Sequence, residues 1–171
     1  MRKLCLSCVL VVLFSVVSFV TNAQWAVTAI DTEFVIDFDN TVNGVNNGVY
    51  AGTGFLNDPG DGQLDADAWE VTGMSEGDKL FGAEASTGDF ARGTSQSLTS
   101  GGLYSYEVET GNFAFGMLPA GSDITPGYIA IKMQNNTGEA TTGVEFSYDV
   151  WVLNWADRSQ SFNGEVSMDG I

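Results

Sequence analysis

The densest group of side chains that could do chemistry lies on an acidic, glycine-rich loop at residues 57–67. Five of its side chains carry oxygens that could bind a metal: Asn57, Asp58, Asp61, Asp65 and Asp67. Calcium takes six to eight oxygen ligands, so this loop is a candidate calcium site. Compared with an EF-hand loop the match is incomplete, because Pro59 falls at a ligand position and Ala68 replaces the bidentate acid. The alternative is a solvated turn, because Asp, Asn, Gly and Pro each favour turns for local reasons.

A second candidate site is a pair of tryptophans, Trp151 and Trp155. Both fall on the face opposite the apolar side chains of Val144–Val152, beside Glu145 and Asp149. In one continuous strand the two rings would be about 13 Å apart. Aromatic rings beside acids can form a platform for sugars, which makes an extracellular polysaccharide a candidate partner. The alternative is that another segment or domain covers the rings.

The residue types that are missing limit the possible catalysis. The chain has no histidine, and its two cysteines are Cys5 and Cys8. Serine–histidine, cysteine–histidine and histidine- or cysteine-ligated zinc sites are therefore excluded beyond the N-terminal segment. Carboxylate chemistry such as glycoside hydrolysis remains, but acids are so abundant that pairs of them indicate little. We therefore expect no enzyme activity.

The charge balance narrows the set of partners. There are 22 acidic residues against six Lys and Arg, and the net charge is −16. Such a surface repels phosphate backbones and anionic lipids, so we expect neither nucleic-acid nor membrane-surface binding. The few cations favour local ion pairs, Asp89 with Arg92 and Asp157 with Arg158, on the surface.

Residues 1–23 have the layout of a secretory signal peptide. Arg2 and Lys3 precede an apolar run from Leu4 to Val20, and small or polar residues lead to a cleavage site before Gln24. An uncleaved membrane anchor is the alternative, because the run is near the short limit for a spanning helix. Cleavage before Gln24 predicts a secreted or cell-surface protein that has no cysteine and does not contact the membrane.

Alternation of apolar and polar residues is the main structural signal after residue 23. It predicts strands at 34–38, 104–108, 113–117, 128–133, 144–152 and 162–168, separated by Gly-, Asn- and Asp-rich turns. This pattern is typical of an antiparallel β-sandwich or jelly roll, and we expect one such domain over 24–171. The expected core includes Phe34, Phe38, Phe146, Tyr148 and Val150.

Near the C-terminus, Asp169-Gly170 favours a tight hairpin turn. With only Ile171 beyond it, we expect a domain that lacks its last strand or strands. A frayed terminal tail is the alternative.

Several segments also carry a family resemblance. The turn Asn135–Gly138, the strand Val144–Trp155, Arg158-Ser159 and the closing strand Ser161–Gly170 resemble an N-terminal β-sandwich module of exported bacterial multidomain proteins. Asp65–Gly77 and Gly88–Ser95 also look like segments of that family. Many of those proteins end in a cell-surface sorting tag, and the module has no assigned catalytic role. The resemblance implies the fold and an exported setting.

Together these patterns predict a non-catalytic structural or adhesive module of a secreted or cell-surface bacterial protein. Its expected partners are an extracellular polysaccharide or downstream domains of the same protein. The alternative prediction is a calcium-assisted carbohydrate-binding module, with calcium on the 57–67 loop and sugar on the tryptophans.

Overall fold

The protein is all-β over the residues that the computed structural model describes, which are 24–94, 99–124, 126–153 and 161–167. These ranges hold nine short strands, one 3₁₀ turn at Gly88–Phe90 and no α-helix. The strands are β1 (Trp25–Val27), β2 (Asn46–Asn47), β3 (Phe55–Leu56), β4 (Gln63–Asp65), β5 (Trp69–Val71), β6 (Gly102–Glu109), β7 (Asn112–Leu118), β8 (Ile129–Ile131) and β9 (Met133–Asn135). No helix in these ranges is long and apolar enough to cross a membrane.

The strands form four small sheets. β6 and β7 make an antiparallel hairpin, β5 pairs antiparallel with β8, β1 pairs parallel with β9, and β4 lies between β2 and β3. Lys132 separates β8 from β9, and its backbone bonds to both sides: its N–H donates to Ala68 O and its C=O accepts from Trp25 N. The chain thus passes at a single residue from the sheet of β5 and β8 to the sheet of β1 and β9.

The β6–β7 hairpin confirms the strands predicted at 104–108 and 113–117. Its register places Tyr106 opposite Ala114 and Ser105 opposite Phe115. Gly116 is required here, because a Cβ at this position would lie 2.0 Å from Tyr106 Cδ2. The strand predicted at 128–133 is also present, divided into β8 and the start of β9.

A cluster of aromatic rings forms the centre of the core. Phe115 packs against Phe38, Tyr50 and Trp69, with ring centroids 5.6–6.0 Å apart. Trp69 also donates from its indole N–H to Val45 O at 3.0 Å, so its polar atom is satisfied inside the core. Ring contacts of this kind add stability beyond the area they bury. This aromatic cluster joins the segments on both sides of β2 to β5 and β7.

The strand predicted at 34–38 is absent, although Ile36 and Phe38 pack against the core. Phe38 has a positive φ of 59°, which ends an extended segment. The Asp37 carboxylate accepts from the backbone N–H groups of Asp39 and Asn40 and holds a turn instead. Phe34 is half-buried against Trp25, and Phe38 is half-buried in the aromatic cluster. Hydrogen bonds from nearby backbone groups to the Asp37 side chain thus take the place of the strand pairing that was expected.

The expectation that Phe146, Tyr148 and Val150 are buried is wrong. They are 50%, 53% and 61% exposed, and no strand pairing is assigned to residues 143–153 or 161–167. The polar neighbours Glu145 and Ser147 are exposed as well, so they are not buried in place of the apolar side chains. We call residues 144–152 the apolar arm. Neither the buried core nor the aromatic cluster includes its side chains.

Some predictions fall on residues outside the described ranges. These are the signal peptide at 1–23, Trp155, the Asp157–Arg158 pair and the Asp169-Gly170 turn.

Candidate functional site

A polar pocket of about 360 Å³ lies beside the predicted calcium loop. It is formed by the 41–47 segment, the 57–59 segment and Asp65 on β4. Three of the five predicted ligands, Asn57, Asp58 and Asp65, line this pocket together with the side chains of neighbouring asparagines. We call it the Asn–Asp pocket. Its lining offers mainly amide, hydroxyl and carboxylate groups, which suit a hard cation or the hydroxyl groups of a sugar.

The other two predicted ligands, Asp61 and Asp67, do not line the pocket. Asp61 is exposed at a turn, in which Gly60 N donates to Gln63 Oε1 at 2.9 Å and Gln63 N donates to Gly60 O. Asp67 follows β4, and its backbone N–H donates to Asp65 Oδ1 at 2.9 Å. The loop therefore folds partly as the self-bonded turn that was the alternative to a calcium site.

Asp65 and Asn46 are the buried polar groups of the pocket. Burial raises the pKa of the Asp65 carboxyl, with the Asp67 charge acting in the same direction and backbone hydrogen bonds opposing both. Asn46 Nδ2 donates to Asn40 O at 2.7 Å and to Gly48 O at 2.8 Å. Its Oδ1 is buried and accepts no hydrogen bond from the described part of the chain. A buried acceptor without a donor costs about 1–3 kcal/mol, so a ligand that donated to it would recover part of this cost.

The pocket does not gather the carboxylates that a strong metal site would need. Over the described ranges, no group of three or more acidic side chains is placed to hold a metal ion. A cation in the Asn–Asp pocket would rely on two carboxylates, Asp58 and Asp65, and on neutral oxygens from asparagine and the backbone.

Of the predicted aromatic platform, only Trp151 lies within the described structure. It is 46% exposed, next to the apolar arm's Val150 and Val152. The ring contacts given for the arm involve other residues: Phe146 stacks with Tyr148 at 6.3 Å, and Tyr148 meets Phe162 edge-on at 5.3 Å. The arm therefore exposes three aromatic side chains, those of Phe146, Tyr148 and Trp151.

Lys79 is a buried cation that the sequence analysis did not single out. Only 2% of it is exposed, and its Nζ donates to Ala66 O at 2.6 Å and to Trp69 O. The amine also lies 4.9 Å from the centre of the Phe55 ring. Burial lowers the pKa of Lys79 to about 8, against the opposing effect of the neighbouring carboxylates. Nothing in the local sequence distinguished Lys79 from a surface lysine.

A second polar network is also more buried than expected. Arg92 pairs with Asp89 as predicted, but Asp89 is buried, so this is not a surface ion pair. Ser75 joins the network to Asp123: its Oγ donates to Asp89 Oδ2 at 2.6 Å, and its N–H donates to Asp123 Oδ1 at 2.9 Å. The Ser75 backbone hydrogen bond is the main cause that lowers the pKa of the Asp123 carboxyl. Through Ser75, the carboxylates of Asp89 and Asp123 connect the 3₁₀ turn to the loop that follows β5.

In comparisons with known proteins, the chain matched no protein-family model, no curated protein and no solved structure.

Proposed function

We propose that the chain is a non-catalytic structural or adhesive module of a secreted or cell-surface bacterial protein. The observation that carries the proposal is the apolar arm, Val144–Val152. An exposed run of large apolar side chains is typical of a surface that contacts another molecule or domain. The N-terminal segment, which resembles a signal peptide, supports an exported setting.

The same proposal includes the way in which the strands are arranged. The period-two patterns and the resemblance to exported β-sandwich modules favour a sandwich or jelly roll in which the arm is one strand. Side-chain contacts support that placement, because Phe162 and Gly164 lie against Phe146 and Tyr148. The arm and residues 161–167 are thus in contact through side chains, without a backbone hydrogen bond between them in the described ranges.

Adhesion through the arm can be tested by binding to cell envelopes of the organism that encodes the chain. We expect wild-type protein to bind saturably, and the triple substitution of Phe146, Tyr148 and Val150 by serine to weaken binding by roughly tenfold or more. Surface plasmon resonance on immobilised envelopes would measure both.

The matched control replaces three exposed apolar residues outside the arm, Ile30, Val49 and Leu80, by serine. It removes similar apolar surface, and we expect it to bind like wild type. Equal binding by the arm variant and wild type would contradict adhesion through the arm.

A second candidate function is calcium-assisted carbohydrate binding. It is favoured by the Asn–Asp pocket, which brings together Asn57, Asp58 and Asp65 beside the Oδ1 of Asn46, an acceptor with no donor among the described residues. Asn and Asp side chains can ligate calcium and accept hydrogen bonds from sugar hydroxyls in the same site. Trp151 would supply a separate apolar contact for a sugar ring.

Calcium titration followed by thermal unfolding tests this candidate. At a hundredfold excess over its dissociation constant, calcium should stabilise the fold by about 2.7 kcal/mol. Asp58→Asn should reduce that gain, whereas Asp61→Asn, outside the pocket, is the matched control. If millimolar calcium leaves the melting temperature unchanged, or if Trp151→Ala keeps every hit on a glycan array, this candidate fails.

A further inference from the structure

Two asparagines that line the Asn–Asp pocket each precede a glycine, and the fold holds only one of them in place. Asn47 is the held residue: its Nδ2 donates to Pro59 O at 2.9 Å, and its C=O accepts from Gly62 N at 2.7 Å. The N–H of the following Gly48 donates to Thr41 Oγ1 at 2.8 Å. Neither the side chain of Asn47 nor the next backbone nitrogen is free to move toward the other.

Asn43 is the other asparagine, and it is exposed. It lies in a tight turn closed by Val42 O, which accepts from the N–H groups of Val45 and Asn46 at 2.9 and 3.0 Å. Neither bond uses the N–H of Gly44, and this group donates to no other atom among the described residues. The Asn43 side chain likewise has no hydrogen bond within the described ranges. Both groups are therefore available for reaction with each other.

The fold requires the glycine that makes Asn43 reactive. Gly44 has a positive φ of 74°, and a Cβ at this position would lie 2.7 Å from Gln24 O. Because glycine has no side chain, nothing shields its backbone nitrogen from the side chain of the residue before it. The turn therefore keeps the Asn-Gly pair as a condition of folding, and a larger residue at position 44 would strain it.

We propose that Asn43 is a site of spontaneous deamidation. The Gly44 nitrogen attacks the side-chain carbonyl carbon of Asn43 and gives up its proton, the bond from that carbon to the amide nitrogen breaks, and ammonia leaves. Water then adds to one of the two carbonyl carbons of the resulting cyclic imide and opens the ring. The product is aspartate or isoaspartate, and either one carries a new carboxylate in the pocket wall. The net change is uptake of one water and loss of one ammonia.

The new carboxylate would join Asp58 and Asp65, the two acidic residues that line the pocket in the described structure. Added negative charge and an added carboxylate oxygen both favour a calcium ion, whose affinity depends on the number of charged ligands. This effect rests on the second candidate function, calcium binding in the Asn–Asp pocket, whereas deamidation itself rests on the turn at Asn43. Ageing of the protein would thus convert a weak cation pocket into a stronger one.

Peptide mapping by mass spectrometry tests the modification in the full, folded chain. A third Asn-Gly pair, Asn163-Gly164, is exposed, makes no hydrogen bond among the described residues and serves as an internal standard. Mildly alkaline buffer promotes attack by the backbone nitrogen. In this buffer Asn43 should be converted at a rate comparable with Asn163, and roughly tenfold or more faster than the hydrogen-bonded Asn47. In heavy-oxygen water the product should carry one labelled oxygen.

Unfolded protein is the control for the effect of sequence. In denaturant the three Asn-Gly pairs should be converted at similar rates, because the residue after asparagine is glycine in each. Asn43→Gln should show no conversion at its site, because the longer glutamine side chain closes the ring poorly. Conversion of Asn43 as slow as that of Asn47 in the folded chain would overturn the proposal.

Calorimetric titration with calcium tests the consequence for the pocket. Asn43→Asp should bind calcium roughly threefold or more tightly than Asn43→Gln, because it adds a charged ligand to the pocket. The matched control, Asn163→Asp, adds the same charge at a residue that does not line the pocket, and it should bind calcium like freshly prepared wild type. If Asn43 is converted while all of these proteins bind calcium equally or not at all, the calcium candidate fails and the modification site stands.

Discussion

The β6–β7 hairpin and the apolar arm have the same sequence pattern and opposite surroundings. In the hairpin, Tyr104 and Tyr106 are buried, and Phe115 packs into the aromatic cluster. In the arm, Phe146, Tyr148 and Val150 alternate just as regularly and are at least half exposed. The hairpin closes on a tight turn and has loops and short strands packed against it. The arm contacts residues 161–167 through a few side chains.

The difference shows that alternation specifies which side chains share a face and leaves open what covers that face. The Phe115 face of the hairpin is covered because Phe38, Tyr50 and Trp69 come from distant parts of the chain and pack onto Phe115, whereas Tyr104 and Tyr106 are buried on the opposite face. The arm's face would need an equivalent cover from a partner. The following predictions test this contrast, from the largest expected effect to the smallest.

Trp69→Ala should destabilise the fold far more than Phe146→Ala. Removing the Trp69 ring leaves a cavity in the aromatic cluster, and such changes cost about 3–5 kcal/mol. Phe146→Ala removes an exposed ring and should cost less than about 1 kcal/mol. Denaturant unfolding of both variants measures the two free energies. Equal costs would show that the arm is as well packed as the core.

Raising the pH from 8 to 10 should stabilise the fold through Lys79. Its pKa falls from 10.5 in the unfolded chain to about 8 in the fold, so the unfolded chain binds more protons in this window. Stability therefore rises with pH, here by about 2 kcal/mol.

Lys79→Met is the control for this pH effect, because it removes the titrating amine. The rise in stability should disappear in the variant, as measured by chemical unfolding at several pH values. Above pH 10 the trend should reverse, because burial raises the pKa of Tyr50 and the unfolded chain then loses protons more readily than the fold. An unchanged rise in Lys79→Met would contradict the assignment.

Tyr50→Phe should leave stability within about 1 kcal/mol of wild type, or raise it. The Tyr50 hydroxyl is buried without a hydrogen-bond partner among the described residues, so its removal ends a desolvation cost. The matched control is Tyr104→Phe, which loses the hydrogen bond to Ser100 O at 2.7 Å and should cost about 0.5–1.5 kcal/mol. Thermal unfolding compares the pair, and a larger loss in Tyr50→Phe would show that its hydroxyl is satisfied.

The sequence predicted several residues of the candidate site, but it did not predict which residues lie together in the pocket. Turn-forming residues at 57–62 correctly marked an exposed loop between β3 and β4. Asn46 and the 41–47 segment were missed as pocket walls, because they precede the acidic loop by ten or more residues and carry no acid. Conversely, Asp61 was included for its spacing alone, and the local Gly60–Gln63 hydrogen bonds turn it outward to solvent.

By itself, the sequence determined the all-β character, the hairpin strands and the positions of most turns. These features depend on period-two alternation and on local turn chemistry, which short segments carry by themselves. The tertiary structure alone decided that Lys79 and Asp89 are buried, that Phe38 leaves the extended conformation to join the aromatic cluster, and that the arm stays exposed. Burial depends on which distant segments pack together, and the free energy of that packing is not a property of any local pattern.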